Sequence, residues 1–294
     1  MKFSVTTYSY GRLVNDQGKT LIDCISIAKE AGFDGIEFVD FVGFDKTDGM
    51  SKPEYAALLK AECEKQGITP VSYTIGADFI NGSDGDIEKE IERVKKEVDV
   101  GAALGVKLMR HDATSGFSRE ARGFKGFDDA LPALIRGCRE VTEYAKQYGI
   151  RTTVENHGYF CQDSVRVEKL VNGVANENFG LLVDIGNFMC ADENPVEAVG
   201  RVAPYAYHVH AKDFHKKDGN APLFCDGFFK TRGGTYLRGA ILGHGDVPVY
   251  QCLSTLASAG YDGFVTVEFE GMEDPITGTT YGLNTLRRIF ENIG

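Results

Sequence analysis

Short apolar runs alternate with longer segments of helical period along the whole chain. The runs are rich in β-branched and aromatic residues and are bounded by glycine or polar residues, which is typical of buried β-strands. They cover residues 3–8, 35–39, 69–75, 106–110, 151–155, 180–183, 206–210 and 264–269. The pattern therefore predicts eight strands.

The segments between these runs repeat their apolar residues at the spacing of an amphipathic helix, and four of them end at a glycine that suits a helix C-cap. The predicted helices cover residues 19–31, 52–66, 86–104, 128–148, 164–174, 195–202, 249–259 and 281–292. Strands that alternate with helices in this way predict a parallel sheet with right-handed crossovers.

The repeats favour a closed (β/α)8 TIM barrel over an open, doubly wound sheet. No G-x-G-x-x-G sequence follows the first strand, although an open dinucleotide-binding sheet would favour one there. The junctions AGFDGIEF at 31–38 and AGYDGFVTVEF at 259–269 are nearly alike, which indicates one recurring unit. We therefore expect a single barrel domain over residues 1–294.

One long irregular stretch, residues 214–247, separates the seventh predicted strand from the eighth. Loops of this length are usually lids or binding loops. In a TIM barrel this loop would lie over the C-terminal face, where active sites are found. We expect a mobile lid that closes over a bound molecule.

The composition narrows the classes of function. The chain has 294 residues and a formal net charge of −11, which argues against nucleic acids and anionic membranes as partners. No apolar run approaches the ~20 residues of a membrane span, and the opening residues MKFSVTTYSYGR contain no apolar segment typical of a secretory signal. Seven cysteines without a C-x-x-C pair favour free thiols. We therefore expect a cytoplasmic protein.

Charged and polar side chains are concentrated where the predicted strands end. Strand five ends in VENHG, strand six in VDIGN, strand seven in HVHAKD and strand eight in VEFEG. Charged groups that follow apolar runs are seldom buried unless they are paired or bind a metal ion. Four successive strands that each supply a carboxylate or an imidazole therefore indicate a metal site. Three carboxylates and one imidazole suit an oxygen-preferring divalent ion such as Mn²⁺ or Mg²⁺.

The motifs VENHG, LVDIGNF, HVHAKD and AGYDGFVTVEFEG, in this order, resemble the xylose-isomerase-like TIM barrels of the sugar phosphate isomerase/epimerase group. The resemblance covers essentially the whole chain. It implies that the metal ligands are Glu155, Asp184, His210 and Glu268. In epimerases of this group two glutamates also move the protons, which implies that role for Glu155 and Glu268. We expect Mn²⁺ as the ion, with Mg²⁺, Co²⁺ and Zn²⁺ as alternatives.

Strand six departs from the pattern of this group. Many of its epimerases have Asp-x-x-His there, whereas this chain has Asn187 three residues after Asp184, and asparagine cannot act as an acid or base. His157 and His208 are candidates for that task, because each lies two residues from a predicted ligand and strand alternation turns both to the inner face. His157 is our candidate third catalytic residue. The candidate substrate contacts are His208, Lys212, Asn187, Arg238 and His111.

These residues predict an enzyme that removes a proton beside the carbonyl group of a sugar and passes through an enediolate intermediate. Return of the proton to the opposite face gives an epimerase, and return to the neighbouring carbon gives an isomerase. Departure of a neighbouring hydroxyl instead gives a lyase or dehydratase acting on a keto-sugar or keto-cyclitol. A phosphodiesterase like the DNA-repair endonucleases of this barrel and an inactive sugar-binding barrel are less favoured. The expected partner is a small carbohydrate, and the sequence leaves a homo-oligomer open.

Overall fold

Eight parallel strands form a closed barrel in the computed structural model, which describes residues 1–44, 47 and 49–293. In chain order the strands are β1 Lys2–Thr6, β2 Gly35–Val39, β3 Thr69–Ile75, β4 Leu108–His111, β5 Arg151–Glu155, β6 Phe179–Asp184, β7 Ala206–Ala211, β8 Asp213–Lys217, β9 Phe229–Lys230, β10 Tyr236–Ala240 and β11 Phe264–Val267. The barrel consists of β1–β7 and β11, and β11 closes it against β1. The predicted (β/α)8 TIM barrel is confirmed.

Helices connect the barrel strands and cover the outside of the barrel. They are α1 Gly11–Gln17, α2 Leu21–Ala31, α3 Lys52–Gln66, α4 Ile87–Leu104, α5 Phe127–Ala145, α6 Ser164–Val174, α7 Asn187–Cys190, α8 Pro195–Val202, α9 Val249–Ser258 and α10 Pro275–Asn292. The start of α2 shows a reciprocal cap, because Thr20 Oγ1 accepts a hydrogen bond from Asp23 N and Asp23 Oδ2 accepts one from Thr20 N. Among the described residues, no helix combines the length and the hydrophobicity that crossing a membrane requires.

Side chains of the barrel strands alternate between the interior and the surrounding helices. Val5, Ile36 and Val209 are fully buried toward the helices. The interior is polar, and Ser4 Oγ lies 2.6 Å from Thr266 Oγ1 across β1 and β11. Polar side chains therefore occupy both the interior of the barrel and its C-terminal end.

The bounds of the predicted elements differ from the structure mainly at their ends. The last helix, predicted over 281–292, begins at Pro275, because Asp274 Oδ1 accepts a hydrogen bond from Thr277 N at 2.9 Å and a proline suits the first helical turn. Helix α1 was not predicted, because its seven residues contribute only Leu13 and Val14 to the core. These differences do not change the positions of the strand ends that carry polar residues.

Residues 214–247 are not irregular as predicted. They contain most of a small antiparallel sheet in which β10 pairs with β8 on one side and with β9 on the other. Two of these strands, β8 (DFHKK) and β10 (YLRGA), contain charged residues or glycine and therefore lack the apolar run that identifies the barrel strands in the sequence. A second long connection, residues 112–126 between β4 and α5, contains only the short 3-10 turn Ala121–Gly123. The segment 214–247 is therefore an ordered insertion, and its closure as a lid stays a prediction.

One buried carboxylate ties the end of this insertion to its beginning. Asp213 accepts hydrogen bonds from the backbone N–H groups of Gly243, Gly245 and Val247 at 2.8–3.0 Å. The backbone approaches this carboxylate so closely at Gly245 that a Cβ atom there would overlap Asp213 Oδ1. This carboxylate therefore holds the start of the insertion, after β7, against its end, before α9.

Replacing this carboxylate is expected to destabilise the protein. Asp213→Asn must place its NH₂ group against at least one of the buried N–H donors, and an unsatisfied buried donor costs about 1–3 kcal/mol. We expect the free energy of unfolding to fall by about 2–4 kcal/mol, since both oxygens accept hydrogen bonds. Urea unfolding followed by circular dichroism measures this loss. Asp246→Asn, which affects one exposed hydrogen bond to Lys216 N, is the control, and an equal loss in both variants would contradict the role of Asp213.

Candidate active site

A cavity of about 520 Å³ opens at the C-terminal ends of the barrel strands. The four predicted metal ligands meet at this end, and each supplies one donor atom that lies within 4.8 Å of the others. Glu155 and Asp184 are the last residues of β5 and β6, His210 lies in β7, and Glu268 follows β11. Because these strands are neighbours in a parallel barrel, their ends bring the four side chains together.

The four residues fit a divalent cation. Asp184 Oδ2 and His210 Nδ1 are buried and lack a hydrogen bond of good geometry within the described part of the chain, although each faces a charged neighbour. Buried polar atoms without partners are rare and point to a bound ion, a water molecule or a catalytic role. His210 Nδ1 also faces oxygens of Glu268, Asp184 and Glu155 at 2.5, 3.9 and 4.0 Å. Mixed carboxylate and imidazole donors around one point are a suitable ligand set for Mn²⁺ or Zn²⁺.

A buried ammonium group lies beside these carboxylates. Lys212 Nζ is 2.7 Å from Glu268 Oε1, 3.4 Å from Asp184 Oδ2 and 3.6 Å from Glu270 Oε2. Burial alone would lower the pKa of Lys212, but the surrounding carboxylates raise it well above its usual value. Burial would raise the pKa of Glu268, but Lys212 and His210 hold it well below its usual range. Glu268 is therefore ionised at neutral pH.

Asp184 differs from Glu268 in its electrostatic environment. Burial raises the pKa of Asp184 to about 7, although Lys212 opposes this shift, and Glu268 and Glu155 add to it by repulsion. A bound cation would remove this repulsion and favour the ionised form.

A chain of charged groups runs from Glu155 to the rim of the cavity. Arg110 Nη2 lies 2.6 Å from Glu155 Oε2 and 2.8 Å from Asp112 Oδ1. Asp112 Oδ1 lies 3.2 Å from His157 Nδ1, and burial, which would raise the pKa of Asp112, is outweighed by Arg110, so that this pKa falls to about 2. Asn187 Nδ2 donates to Glu155 Oε1 at 2.9 Å. Glu155 is therefore held on both oxygens.

Glu37 on β2 holds His210 from inside the barrel. His210 Nε2 lies 2.9 Å from Glu37 Oε1, and Ser72 Oγ donates to Glu37 Oε2. Burial would raise the pKa of Glu37, but the imidazoles of His210 and His208 keep it well below its usual range. A carboxylate on Nε2 fixes the tautomer in which Nδ1 is free to bind a metal ion.

Loss of this carboxylate is expected to weaken metal binding. Glu37→Gln should raise the dissociation constant for Mn²⁺ about 10–100-fold, because outer-shell partners of a ligating histidine typically contribute this much. Isothermal titration of the metal-free protein with Mn²⁺ measures the constant. Ser72→Ala, which removes only the hydroxyl that supports Glu37, should have a smaller effect. An unchanged constant in Glu37→Gln would show that Glu37 has no part in orienting His210.

Three of the predicted site residues other than the metal ligands line the cavity: Lys212, Asn187 and His157. Lys212 Nζ donates to Asn187 Oδ1 at 3.1 Å, so the two side chains form one unit with Glu155. His157 reaches the cavity for a different reason than expected. Strand β5 ends at Glu155, so alternation along the strand does not orient His157, which is held instead by Asp112.

The other three predicted contacts lie away from the cavity wall. His208 is buried one layer deeper, where its Nε2 lies 2.9 Å from Thr266 Oγ1. His111 faces the helices, with its ring against Phe79, because its neighbour in the strand takes the inward position. Burial lowers the pKa of His111 to about 4. Arg238 stacks over Phe228 in the insertion. None of these three side chains lines the cavity, and the substrate contacts at His208, His111 and Arg238 stay predictions.

Arg110, Asp112 and Glu37 have no role among the predictions from the sequence. Arg110 and Glu37 each lie within a predicted apolar strand, and a charged residue inside such a strand is itself a signal, because burial of an unpaired charge is costly. Asp112 follows β4 in the same way that the predicted ligands follow their strands. The signal was therefore present, but the partners of these residues could not be identified without the fold.

Comparisons with known proteins agree with this architecture. A family model described as xylose isomerase-like TIM barrel matches residues 25–289. Inosose dehydratase from Mesomycoplasma hyopneumoniae strain J is 26% identical over 271 residues, which are 85% of this chain and 81% of the relative. The crystal structure of the IOLI protein with a binding zinc atom is similar to this chain with a TM-score of 0.77 at 18% identity. The matched region covers 100% of this chain and 99% of the IOLI chain. The crystal structure of the 3-keto-D-glucoside 4-epimerase YcjR from E. coli is similar with a TM-score of 0.71 at 16% identity. The matched region covers 98% of this chain and 99% of the YcjR chain.

Proposed function

The chain belongs to the xylose isomerase-like TIM barrel family, and we propose that it is a divalent-metal-dependent enzyme that removes a proton beside the carbonyl group of a keto-sugar or keto-cyclitol. The observation that carries this proposal is the position of Glu155 and Glu268, which line one cavity from strands separated by β6 and β7. Two carboxylates on different sides of a bound ring suit removal of a proton by one and its return by the other. An isomerase or epimerase is therefore the first candidate function.

The metal ion would be held by Glu155, Asp184, His210 and Glu268, and Mn²⁺ is the ion that we propose, with Mg²⁺, Co²⁺ and Zn²⁺ as alternatives. A bound divalent ion polarises a carbonyl group and thereby acidifies the neighbouring C–H bond. The two buried atoms that lack a hydrogen bond of good geometry, Asp184 Oδ2 and His210 Nδ1, support this placement. The zinc atom in the IOLI structure supports the use of a divalent ion by this fold.

The residues around the two glutamates prepare them for proton transfer. Lys212 Nζ lies 2.7 Å from Glu268 Oε1 and holds this carboxylate in the cavity wall, where it can face the reacting carbon. Arg110 and Asn187 fix the two oxygens of Glu155. Lys212 also lines the cavity, where its ammonium group can donate to a substrate oxygen on which negative charge develops.

A dehydratase acting on a keto-cyclitol is the second candidate. The inosose dehydratase relative matches most of both chains. Elimination of a hydroxyl requires an acid that protonates the leaving oxygen. His157 lines the cavity and its Nδ1 faces Asp112, which leaves Nε2 to deliver that proton. Asn187 cannot deliver it, because an amide does not act as an acid.

A proton-exchange assay in D₂O tests both candidates. The Mn²⁺-loaded protein is incubated with inosose and with a set of keto-hexoses, and NMR follows deuterium at the carbon beside the carbonyl. Deuterium in an isomerised or epimerised sugar supports the first function, and loss of water detected by mass spectrometry supports the second. The same protein treated with EDTA is the control. If no probe exchanges or eliminates while Mn²⁺ is bound, the proposal is wrong.

A further inference from the structure

The four proposed metal ligands come from one half of the barrel mouth, at the ends of β5, β6, β7 and β11. The strands β1–β4 complete the closed barrel, and their ends line the same cavity of about 520 Å³. A sugar whose carbonyl group lies at the metal ligands therefore extends toward the ends of these strands. We call the part of the cavity lining on β2, β3 and β4 the far wall, and it consists of Val39, Thr74 and Arg110.

Thr74 presents an unused hydroxyl group at the far wall. The side chain of Ser72, two residues earlier, reaches Glu37 inside the barrel, and that of Tyr73 reaches Glu97 on α4, outside the barrel. Strand alternation therefore turns Thr74 inward. Thr74 is only 5% exposed and lines the cavity, and its Oγ1 has no hydrogen-bond partner among the described residues.

The neighbours of Thr74 in the barrel do not use this hydroxyl. Val39 on β2 and Arg110 on β4 are paired in register with Thr74. Val39 is apolar, and Arg110 directs its Nη2 to Glu155 and Asp112. Arg110 Nε is likewise buried without a hydrogen bond to the described residues. Buried polar atoms without partners are rare, and two of them on adjacent strands at one level indicate that a polar group of a ligand belongs at the far wall.

The chemistry of the far wall suits an uncharged hydroxyl group. The positive charge of Arg110 is already balanced by two carboxylates, so the three residues of the far wall offer no free charge to a phosphate. A ligand hydroxyl can both donate to and accept from a threonine hydroxyl. Rotation about the Cα–Cβ bond exchanges the hydroxyl and methyl positions of Thr74 among staggered rotamers, so Oγ1 can turn toward a ligand without a change in the backbone.

We propose that Thr74 is a specificity-determining residue, and that its hydroxyl binds a substrate hydroxyl remote from the oxygens that contact the metal ion. The proposal rests on the proposed function only for the orientation of the sugar, with its carbonyl end at the metal ligands. In this role Thr74 selects sugars that carry a hydroxyl at the far wall, because a C–H group there would leave Oγ1 buried without a partner.

Thr74→Val and Thr74→Ser separate the hydroxyl from the shape of the side chain. Valine keeps the shape without the hydroxyl, and serine keeps the hydroxyl without the methyl group. Thr69→Val, at an exposed position of the same strand, is the control. The probes are myo-inositol and D-glucitol, a cyclic and an open-chain polyol that do not react because they have no carbonyl group. Isothermal titration of the Mn²⁺-loaded proteins gives the dissociation constants.

We expect the wild type, Thr69→Val and Thr74→Ser to bind at least one of these polyols within about 3-fold of each other, and Thr74→Val to bind it at least about 5-fold more weakly, because the polyol hydroxyl loses its partner. The dissociation constant for Mn²⁺ should be the same in all four proteins. Binding of neither polyol by the wild type, an undiminished affinity in Thr74→Val, an equal loss in Thr74→Ser, or weaker Mn²⁺ binding by Thr74→Val would overturn the contact.

The thermal stability of the ligand-free protein gives a second readout. Replacing a buried hydroxyl without a partner by a methyl group removes an unfavourable burial, so Tm of Thr74→Val should equal that of the wild type or lie up to about 4 °C higher. A lower Tm would show that the hydroxyl stabilises the fold, and would overturn its assignment to a ligand. The proposed function fails separately, when a polyol binds through Thr74 but inosose and the keto-hexoses show no exchange in D₂O.

Discussion

Glu268→Gln is expected to lower kcat by at least about 10²-fold while the protein still binds its metal ion. A positioned acid or base typically contributes about 10²–10⁴-fold to the rate. Glutamine keeps the size of the side chain and an oxygen that can face Lys212, from which Glu268 Oε1 now lies 2.7 Å, but it cannot carry a proton. Glu155→Gln should behave in the same way. Steady-state kinetics and elemental analysis of the same preparation separate lost chemistry from lost metal.

Two further variants give this experiment its controls. Glu197→Gln makes the same chemical change at an exposed position of α8 and should leave kcat unchanged. Asp184→Asn should reduce activity mainly through weaker metal binding, so that excess Mn²⁺ restores part of it. Near-normal turnover by Glu268→Gln with the metal ion bound would contradict the mechanism with two carboxylates. His157 would then be the leading candidate for the base.

Lys212→Met is expected to destabilise the metal-free protein by about 3–5 kcal/mol, because it removes one partner of a buried ion pair and leaves the other uncompensated. Glu268, Asp184 and Glu270 would lose their neighbouring ammonium group. A divalent ion bound among the same carboxylates supplies positive charge, so saturating Mn²⁺ should recover much of the loss. Thermal unfolding in EDTA and in Mn²⁺ measures both effects.

The control for this variant lies a few residues along the chain. Lys216 is exposed on β8, and Lys216→Met should leave Tm nearly unchanged, since exposed charges contribute little to stability. The informative quantity is the gain in Tm on adding Mn²⁺, which we expect to be larger in Lys212→Met than in the wild type. An equal gain in both proteins would show that Lys212 and the metal ion do not stabilise the same carboxylates.

The sequence predicts the barrel and the grouping of the four ligands for one reason. Parallel strands present their C-terminal ends at one face, so polar residues after successive strands must lie near each other. Whether a single side chain points into the barrel or toward the helices is less predictable, because a shift of one position along the strand reverses its direction. Arg110 points inward and its neighbour His111 points outward, although both lie at the end of β4.

Contacts between distant parts of the chain could not be predicted from the sequence. Glu37 and His210 are 173 residues apart, and only closure of the barrel brings β2 opposite β7. The sheet within residues 214–247 is stabilised by pairing of short strands, whose individual preferences are too weak to identify them.

The carboxylate of Asp213 has a consequence for how this molecule can diversify. Because it holds the two ends of the insertion together, the intervening chain is a closed loop, and doubling the length of such a loop costs only ~0.6 kcal/mol of entropy. Residues added between β8 and β9, where Phe224 is 94% exposed, would leave the barrel folded. The insertion can therefore change in length and composition during evolution while the four proposed metal ligands keep their places.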